Sequence, residues 1–288
     1  MIEIDVFGSR FVAKRNRVYF FIPILLTILI SLIFGSFTLS IQTYDNSLKP
    51  IFDPVNDFFV TLNIFIIVLV SITSLFIFFL FFKKRQEIAM RILIAVFILS
   101  GILSTLLFTK LIFTYLGFES PLILIVVAII TYIGAYFAYL VIVDVLSNRV
   151  KNILFVVCSG ALGAFVGVVL PSLPIMGISL FLSFADLFLI NRKTVEKIVG
   201  EVAYERLITE ITFSNMEWGI GIGDLTTYSI VVANTSVNFG IIAGFFSLFM
   251  ILIGSFLSYV ITLRQGRFPG LPITMVLGLI PLIILSFF

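Results

Sequence analysis

Apolar runs of about 20 residues, repeated along the whole chain, limit the possible folds more than any other feature of this sequence. A run of this length can cross the hydrocarbon core of a bilayer as an α-helix. In agreement, 61% of the 288 residues are hydrophobic and only 11% are charged, which differs strongly from soluble domains. The sequence therefore predicts an all-α polytopic protein of the cell membrane, surrounded by lipid.

Nine transmembrane helices are predicted, separated by polar or charged turns. Their approximate limits are 18–41, 58–82, 91–117, 121–143, 153–170, 172–190, 219–234, 239–263 and 269–288. The fifth span carries Gly160, Gly163 and Gly167, whose spacing allows a neighbouring helix to approach closely. Residues 191–218 alternate charged and apolar residues at roughly helical spacing, which predicts an amphipathic helix at the membrane interface. The seventh span is expected to end at a polar turn, 234–238.

The basic residues predict the orientation of the spans, because lysine and arginine stay on the cytoplasmic side. With a cytoplasmic N-terminus, 16 of the 18 lysines and arginines fall in the N-terminal segment or in cytoplasmic loops. The exceptions are Lys49, in an outer loop, and Lys110, within the third span near the outer surface. Nine spans then place the C-terminus outside.

Missing residue types exclude several kinds of active site. The chain has no histidine, so Ser/His and Cys/His dyads and histidine-ligated metals are impossible. Its single cysteine, Cys158, cannot form an internal disulfide or a cysteine cluster. The P-loop motif of nucleotide-driven pumps does not occur, and a net charge of +3 spread along the chain does not favour nucleic acid as a partner. We expect neither metal nor cofactor, and a carboxylate mechanism is the best remaining hydrolytic option.

Two acidic residues lie inside predicted spans, where an isolated carboxylate costs several kcal/mol. At about 1.5 Å per residue, Asp186 in the sixth span and Asp224 in the seventh lie roughly 6 Å and roughly 9 Å from the cytoplasmic boundary. Consecutive spans are usually neighbours, so the two acids are expected to face one another. Two carboxylates a few Å apart cannot both be ionised, which predicts a shared proton. One carboxyl can then activate a water while the other polarises a peptide carbonyl, as amide hydrolysis requires.

This placement predicts a single membrane domain, 1–288, in which spans one to five (1–170) form a scaffold and residues 171–288 carry the site. Gly221 and Gly223 precede Asp224 at alternate positions, where a substrate or a neighbouring helix can approach the backbone. Pro269-Gly270-Leu271-Pro272 opens the ninth span. Its prolines oppose a regular first turn and are expected to leave backbone groups free to pair with an extended peptide. Both features also have a structural explanation, since glycine eases helix packing and proline is common at helix starts.

Together these elements resemble the presenilin and signal peptide peptidase family of intramembrane aspartyl proteases, in its microbial, presenilin-type form. Gly221-Ile222-Gly223-Asp224 matches the family's G-x-G-D motif, and Asp186 stands where the other catalytic aspartate belongs. Pro269-Gly270-Leu271-Pro272 is similar to the family's Pro-Ala-Leu-Pro motif, with Gly270 in place of alanine. The first aspartate of the family usually follows tyrosine, whereas Ala185 precedes it here. The likeness covers nearly the whole chain, although G-x-G-D alone also occurs in type IV prepilin peptidases.

The resemblance implies an aspartic endopeptidase that cuts transmembrane helices of single-span proteins with water activated between Asp186 and Asp224. It implies that substrates unwind near the cut and pair as a strand with backbone near residues 269–272. Gly221, Gly223 and the four residues Pro269, Gly270, Leu271 and Pro272 are then substrate contacts. It also implies that substrates with an external N-terminus are favoured, and no obligatory partner subunit is expected.

A proton-coupled transporter is the competing interpretation, because transporters also place acids within spans. Nine spans do not divide into two equal repeats, and the sequence shows no matching pair of broken helices in its two halves. Proteolysis is therefore the favoured hypothesis. Cleavage assays with Asp186→Asn and Asp224→Asn variants separate the two interpretations.

Overall fold

The computed structural model describes residues 20–44, 86–118, 120–143, 145–189, 212–215, 218–265 and 270–287. In these ranges the chain forms eight α-helices and one two-stranded antiparallel sheet. The helices are α1 (Phe21–Tyr44), α2 (Gln86–Tyr115), α3 (Ser120–Ile142), α4 (Asn148–Val169), α5 (Ser172–Leu189), α6 (Ile222–Phe239), α7 (Ile241–Gln265) and α8 (Leu271–Phe287). The strands are β1 (Thr212–Asn215) and β2 (Trp218–Gly221), and β2 leads directly into α6.

Five of these helices are long and apolar enough to cross a membrane. The corresponding stretches are Phe21–Ile41 in α1, Ile88–Tyr115 in α2, Pro121–Ile142 in α3, Asn148–Val169 in α4 and Ile241–Arg264 in α7. Helices α5 and α8 contain shorter apolar stretches. The expected helical architecture, with several helices able to span a membrane, is confirmed. The number of nine spans and the sides of the termini stay predictions, and the predicted second span, 58–82, lies outside the described residues.

Helix α6 lies at the centre of the described bundle and packs against α1, α4, α5, α7 and α8. Most of its side chains are buried. The largest apolar cluster of the described residues combines α6 residues with residues of the helices around it, including Ile24, Ile28, Ile175, Leu225, Val231, Ile251, Met275 and Leu279. Because α1 belongs to this cluster, the core joins helices on both sides of the expected boundary at residue 170.

Glycines of α4 bring its backbone against α1 and α6. A Cβ atom at Gly160 would lie 2.8 Å from the carbonyl oxygen of Thr27 in α1, and one at Gly167 would lie 2.5 Å from that of Ile230 in α6. Real Cβ atoms essentially never come this close to another atom. The prediction that the glycines of the fifth span permit close helix packing is confirmed.

The expected polar turn at residues 234–238 is wrong, because α6 continues through it. Asn234 is fully buried, and its side-chain amide donates to the backbone oxygens of Gly167 and Leu170, each at 2.9 Å. These oxygens lie at the C-terminal end of α4, where helix carbonyls lack partners in their own helix. The helix ends instead before Gly240, which has a φ of 92°. Asn234 thus joins two helices rather than facing water.

The segment before α6 also differs from the expected amphipathic helix. Residues 191–211 lie outside the described residues, but Thr212–Asn215 is a strand and pairs with Trp218–Gly221. Two glycines at alternate positions disfavour a helix, whereas their alternation with Trp218 and Ile220 suits the two-residue repeat of a strand. As a result α6 begins at Ile222, three residues after the expected start of the seventh span.

Candidate active site

Asp186 lies near the C-terminal end of α5, partly buried, and faces the beginning of α8. Its Oδ2 accepts a hydrogen bond of 3.1 Å from the backbone N–H of Leu271, the first residue of α8. The N–H of Gly270 also acts on this carboxyl. Amides in the first turn of a helix have no partner within the helix, and the helix dipole attracts negative charge there. The Asp186 carboxyl therefore caps the N-terminus of α8.

The prolines of the 269–272 motif determine which amides reach Asp186. Proline has no N–H, so Gly270 and Leu271 supply the only two backbone donors of the motif. Pro272 lies within the first turn of α8, where a missing N–H does no harm. The expectation that the prolines oppose a regular first turn is therefore wrong. The expectation of free backbone groups is also wrong for the Leu271 N–H, which is already bonded. Pro269 lies outside the described residues.

Asp224 occupies the first turn of α6, and its carboxyl lies between two glycines. A Cβ atom at Gly221 would lie 3.4 Å from Oδ1 of Asp224, and one at Gly270 would lie 3.4 Å from Oδ2. Gly221 is the N-cap residue of α6, and its backbone amide acts on the same carboxyl. Gly223 is exposed, and a Cβ atom there would have no atom of the described chain within 4 Å.

The two acids converge on one dipeptide. Asp186 bonds to the amide of Leu271, and Asp224 lies against Gly270, the residue before it. The two carboxyls are close enough for the charge of Asp186 to act on Asp224. Contacts between α5 and α6, and between each of them and α8, hold this arrangement. Five of the residues singled out in the sequence thus lie together: Asp186, Gly221, Asp224, Gly270 and Leu271.

Hydroxyl groups that sequence reasoning missed complete the surroundings of the dipeptide. The Gly270 carbonyl oxygen accepts hydrogen bonds from Thr274 Oγ1 at 2.8 Å and from Ser258 Oγ of α7 at 3.3 Å. One turn after Asp224, the buried Tyr228 turns its hydroxyl toward Thr274. A signal for Ser258 was present in the sequence, because it belongs to a stripe of small polar residues along an otherwise apolar span, namely Ser255, Ser258 and Thr262.

The chemistry available at this site is that of carboxyls, hydroxyls and backbone groups. Within the described residues, no lysine or arginine acts on Asp186 or Asp224. The same parts of the chain hold no group of three or more acidic or cysteine side chains that could bind a metal ion. Two neighbouring carboxyls without a cation can exchange one proton between them, which suits acid/base chemistry.

Comparison of the chain with protein-family models gives no match, and no curated protein matches it. The resemblance to presenilin-type proteases therefore rests on the motifs alone.

Proposed function

We propose that this protein is an intramembrane aspartyl protease of the presenilin type, which hydrolyses peptide bonds within transmembrane helices of single-span proteins. The observation that carries the proposal is the convergence of Asp186 and Asp224 on the Gly270–Leu271 dipeptide. Three helix ends meet there, namely the end of α5 and the beginnings of α6 and α8. Capping of α8 explains the position of Asp186, but it does not explain why a second acid, Asp224, lies beside it without a cation among the described residues.

In the proposed reaction the two carboxyls share one proton. The ionised carboxyl takes a proton from a water molecule, whose oxygen attacks the carbonyl carbon of the substrate peptide bond. The protonated carboxyl gives its proton to the carbonyl oxygen, which produces a neutral tetrahedral intermediate. Proton transfer to the departing nitrogen then breaks the C–N bond and releases a carboxylic acid and an amine. No covalent bond to the enzyme forms.

The β1–β2 hairpin supports the proposal that the substrate is extended when it is cut. The peptide carbonyls of a helix are engaged in hydrogen bonds and shielded by side chains, so the substrate must unwind to present one of them. Strand β2 ends at Gly221, whose backbone amide acts on the Asp224 carboxyl. A strand at the edge of a small sheet offers backbone groups to a further strand, and a Cβ atom at Gly223 would meet no atom of the described residues within 4 Å.

The test uses the full chain in lipid nanodiscs with a fluorescently labelled single-span protein as substrate. Wild type is expected to release a cut product, and Asp186→Asn and Asp224→Asn are each expected to lower kcat by at least about 100-fold, because each removes a proton-transfer group. Asp53→Asn, in the polar segment 42–57, is the matched control and should cut like wild type. Since only the singly protonated pair is active, kcat should fall on both sides of a pH optimum.

Two results contradict the proposal. If both variants still cut at the wild-type rate, the paired acids are not the catalytic groups. If no single-span substrate is ever cut but proton flux across liposome membranes depends on Asp186 and Asp224, the transporter interpretation replaces the protease.

A further inference from the structure

The peptide unit between Gly270 and Leu271 is held at both of its polar ends. At one end the Gly270 oxygen accepts hydrogen bonds from Thr274 and Ser258, and at the other the Leu271 N–H donates to Asp186. A peptide unit is planar, so groups that fix the direction of its C=O also fix the direction of its N–H. The hydroxyls at the C=O end of this peptide unit therefore orient the N–H that bonds to Asp186 at the opposite end.

The two hydroxyls are not equivalent. Thr274 lies in α8 itself, four residues after Gly270, and moves with that helix. Ser258 belongs to α7 and reaches Gly270 from outside α8, with only 5% of its surface exposed. Its hydrogen bond therefore fixes the start of α8 relative to a second helix.

We propose that Ser258 is a positioning residue for Asp186, acting through the Gly270–Leu271 peptide unit. The kinetic consequence of this inference rests on the proposed protease function. The hydrogen bond between Ser258 and Gly270 does not depend on that function. The Ser258 hydroxyl sets the direction of the Leu271 N–H, and the N–H sets the orientation of the Asp186 carboxyl toward the substrate. Loss of the hydroxyl lets the peptide unit tilt, so Asp186 spends less time in the productive orientation.

The same pair of helices contains a matched control. Ser247 of α7 is fully buried and donates a hydrogen bond of 2.8 Å to the carbonyl oxygen of Gly278 in α8. The chemistry is that of Ser258 and Gly270, a serine of α7 bonded to a glycine carbonyl of α8. Gly278 lies two turns further along α8, away from both acids. Variants of Ser247 thus report the cost of losing an α7–α8 hydrogen bond without disturbing Asp186.

The kinetic test compares Ser258→Ala, Ser258→Thr and Ser247→Ala on the labelled single-span substrate. Ser258→Ala is expected to lower kcat about 3- to 10-fold, as the loss of one neutral hydrogen bond predicts, and to leave KM unchanged. Ser258→Thr keeps a hydroxyl at the same position and should restore kcat. Ser247→Ala should keep the wild-type kcat although it also loses a hydrogen bond. Equal effects of the two alanine variants on kcat, or no effect of Ser258→Ala, overturn the proposal.

A spectroscopic test does not depend on proteolysis. The sequence contains only two Gly–Leu bonds, Gly270–Leu271 and Gly278–Leu279. Labelling the full chain with carbonyl-¹³C glycine and ¹⁵N leucine therefore gives two amide cross-peaks in a carbonyl-filtered NMR spectrum. The Leu271 peak reports the peptide unit bonded to Ser258, and the Leu279 peak reports the peptide unit bonded to Ser247. Ser258→Ala should move the Leu271 peak upfield, because its bond to Asp186 weakens, and leave Leu279 in place. Ser247→Ala should move the Leu279 peak and leave the Leu271 peak in place.

Titration with acid completes the test. The Leu271 peak should follow the protonation of Asp186 in wild type, follow it less strongly in Ser258→Ala, and lose this dependence in Asp186→Asn. A Leu271 peak that is unchanged by Ser258→Ala in position and titration overturns the inference, whether or not the protein cuts substrates. A wild type that cuts nothing contradicts the protease function instead, and the spectrum then decides the role of Ser258 by itself.

Discussion

Two regions of this protein use glycine for opposite reasons. At the scaffold interface, the contact of α4 with α1 and α6, the backbones approach so closely that Gly163 and Gly167 leave no space for a side chain. At the junction of α5, α6 and α8, a Cβ atom added to Gly221 or Gly270 would meet the Asp224 carboxyl at ordinary contact distance, and one added to Gly223 would meet no atom of the described residues within 4 Å. The scaffold interface can form only where the glycines lack a Cβ atom, whereas the junction has enough space for a Cβ atom at its glycines.

The comparison separates residues that hold the fold from residues that serve the site. Close backbone contact between helices excludes voids and makes the scaffold interface rigid. The junction depends instead on hydrogen bonds to a few backbone groups of α8. Substitutions at the scaffold interface should therefore act on stability, and substitutions at the junction on activity.

The largest effect is expected at the scaffold interface for Gly163→Ala. The added methyl group would overlap Ser229 and lie 2.7 Å from the carbonyl oxygen of Thr226, so α4 and α6 must separate. We expect a loss of about 3 kcal/mol of unfolding free energy, the upper part of the range for overpacking, measured by thermal unfolding in detergent. The control is Gly177→Ala in α5, where a Cβ would have no neighbour within 4 Å in the described part of the chain and alanine should be neutral or slightly stabilising. Equal unfolding free energies of Gly163→Ala and Gly177→Ala would contradict the claim that the scaffold interface has no space for a Cβ atom at Gly163.

An intermediate effect is expected for Asn234→Ala, which tests the bond between α6 and the end of α4. The substitution leaves the carbonyl oxygens of Gly167 and Leu170 without this donor, at an expected cost of about 2 kcal/mol. Asn238→Ala is the matched control, because within the described residues the exposed Asn238 side chain donates to the Asn234 carbonyl, one turn earlier in its own helix. Denaturation curves that coincide for the two variants would contradict the assigned role of Asn234.

The smallest effect is expected at the junction for Gly270→Ala. The new methyl group meets Asp224 Oδ2 at 3.4 Å, and Gly270 does not have a positive φ, so neither sterics nor backbone strain opposes it. The change also creates the Pro-Ala-Leu-Pro sequence of the family that this chain resembles. We expect unchanged stability and a kcat within about threefold of wild type, whereas Gly270→Val, which pushes further toward the carboxyl, should reduce cleavage without unfolding the protein. Loss of folding in Gly270→Ala would show that this glycine belongs with those of the scaffold interface.

Sequence reasoning predicted the parts of this protein that depend on local properties. The apolar runs indicated the long helices, and the three glycines of the fifth span indicated close packing, because both signals lie within one helix. It failed at residues 234–238 and at the start of α6. In the sequence, the buried Asn234 cannot be distinguished from a turn residue. The short strand β2 likewise cannot be distinguished from the first turn of the helix that follows it.

The sequence alone thus determined that the chain is helical and suited to a membrane, and that its two misplaced acids are Asp186 and Asp224. Tertiary structure decided what these acids touch. The Leu271 amide lies 85 residues from Asp186 along the chain, and the Asn234 amide lies 67 residues from the carbonyl of Gly167. Hydrogen bonds of this kind depend on which helices pack together, and every serine, asparagine or backbone amide carries the same donor wherever it lies. Only the packing of α5, α6, α7 and α8 selects the partners that surround the Gly270–Leu271 peptide unit.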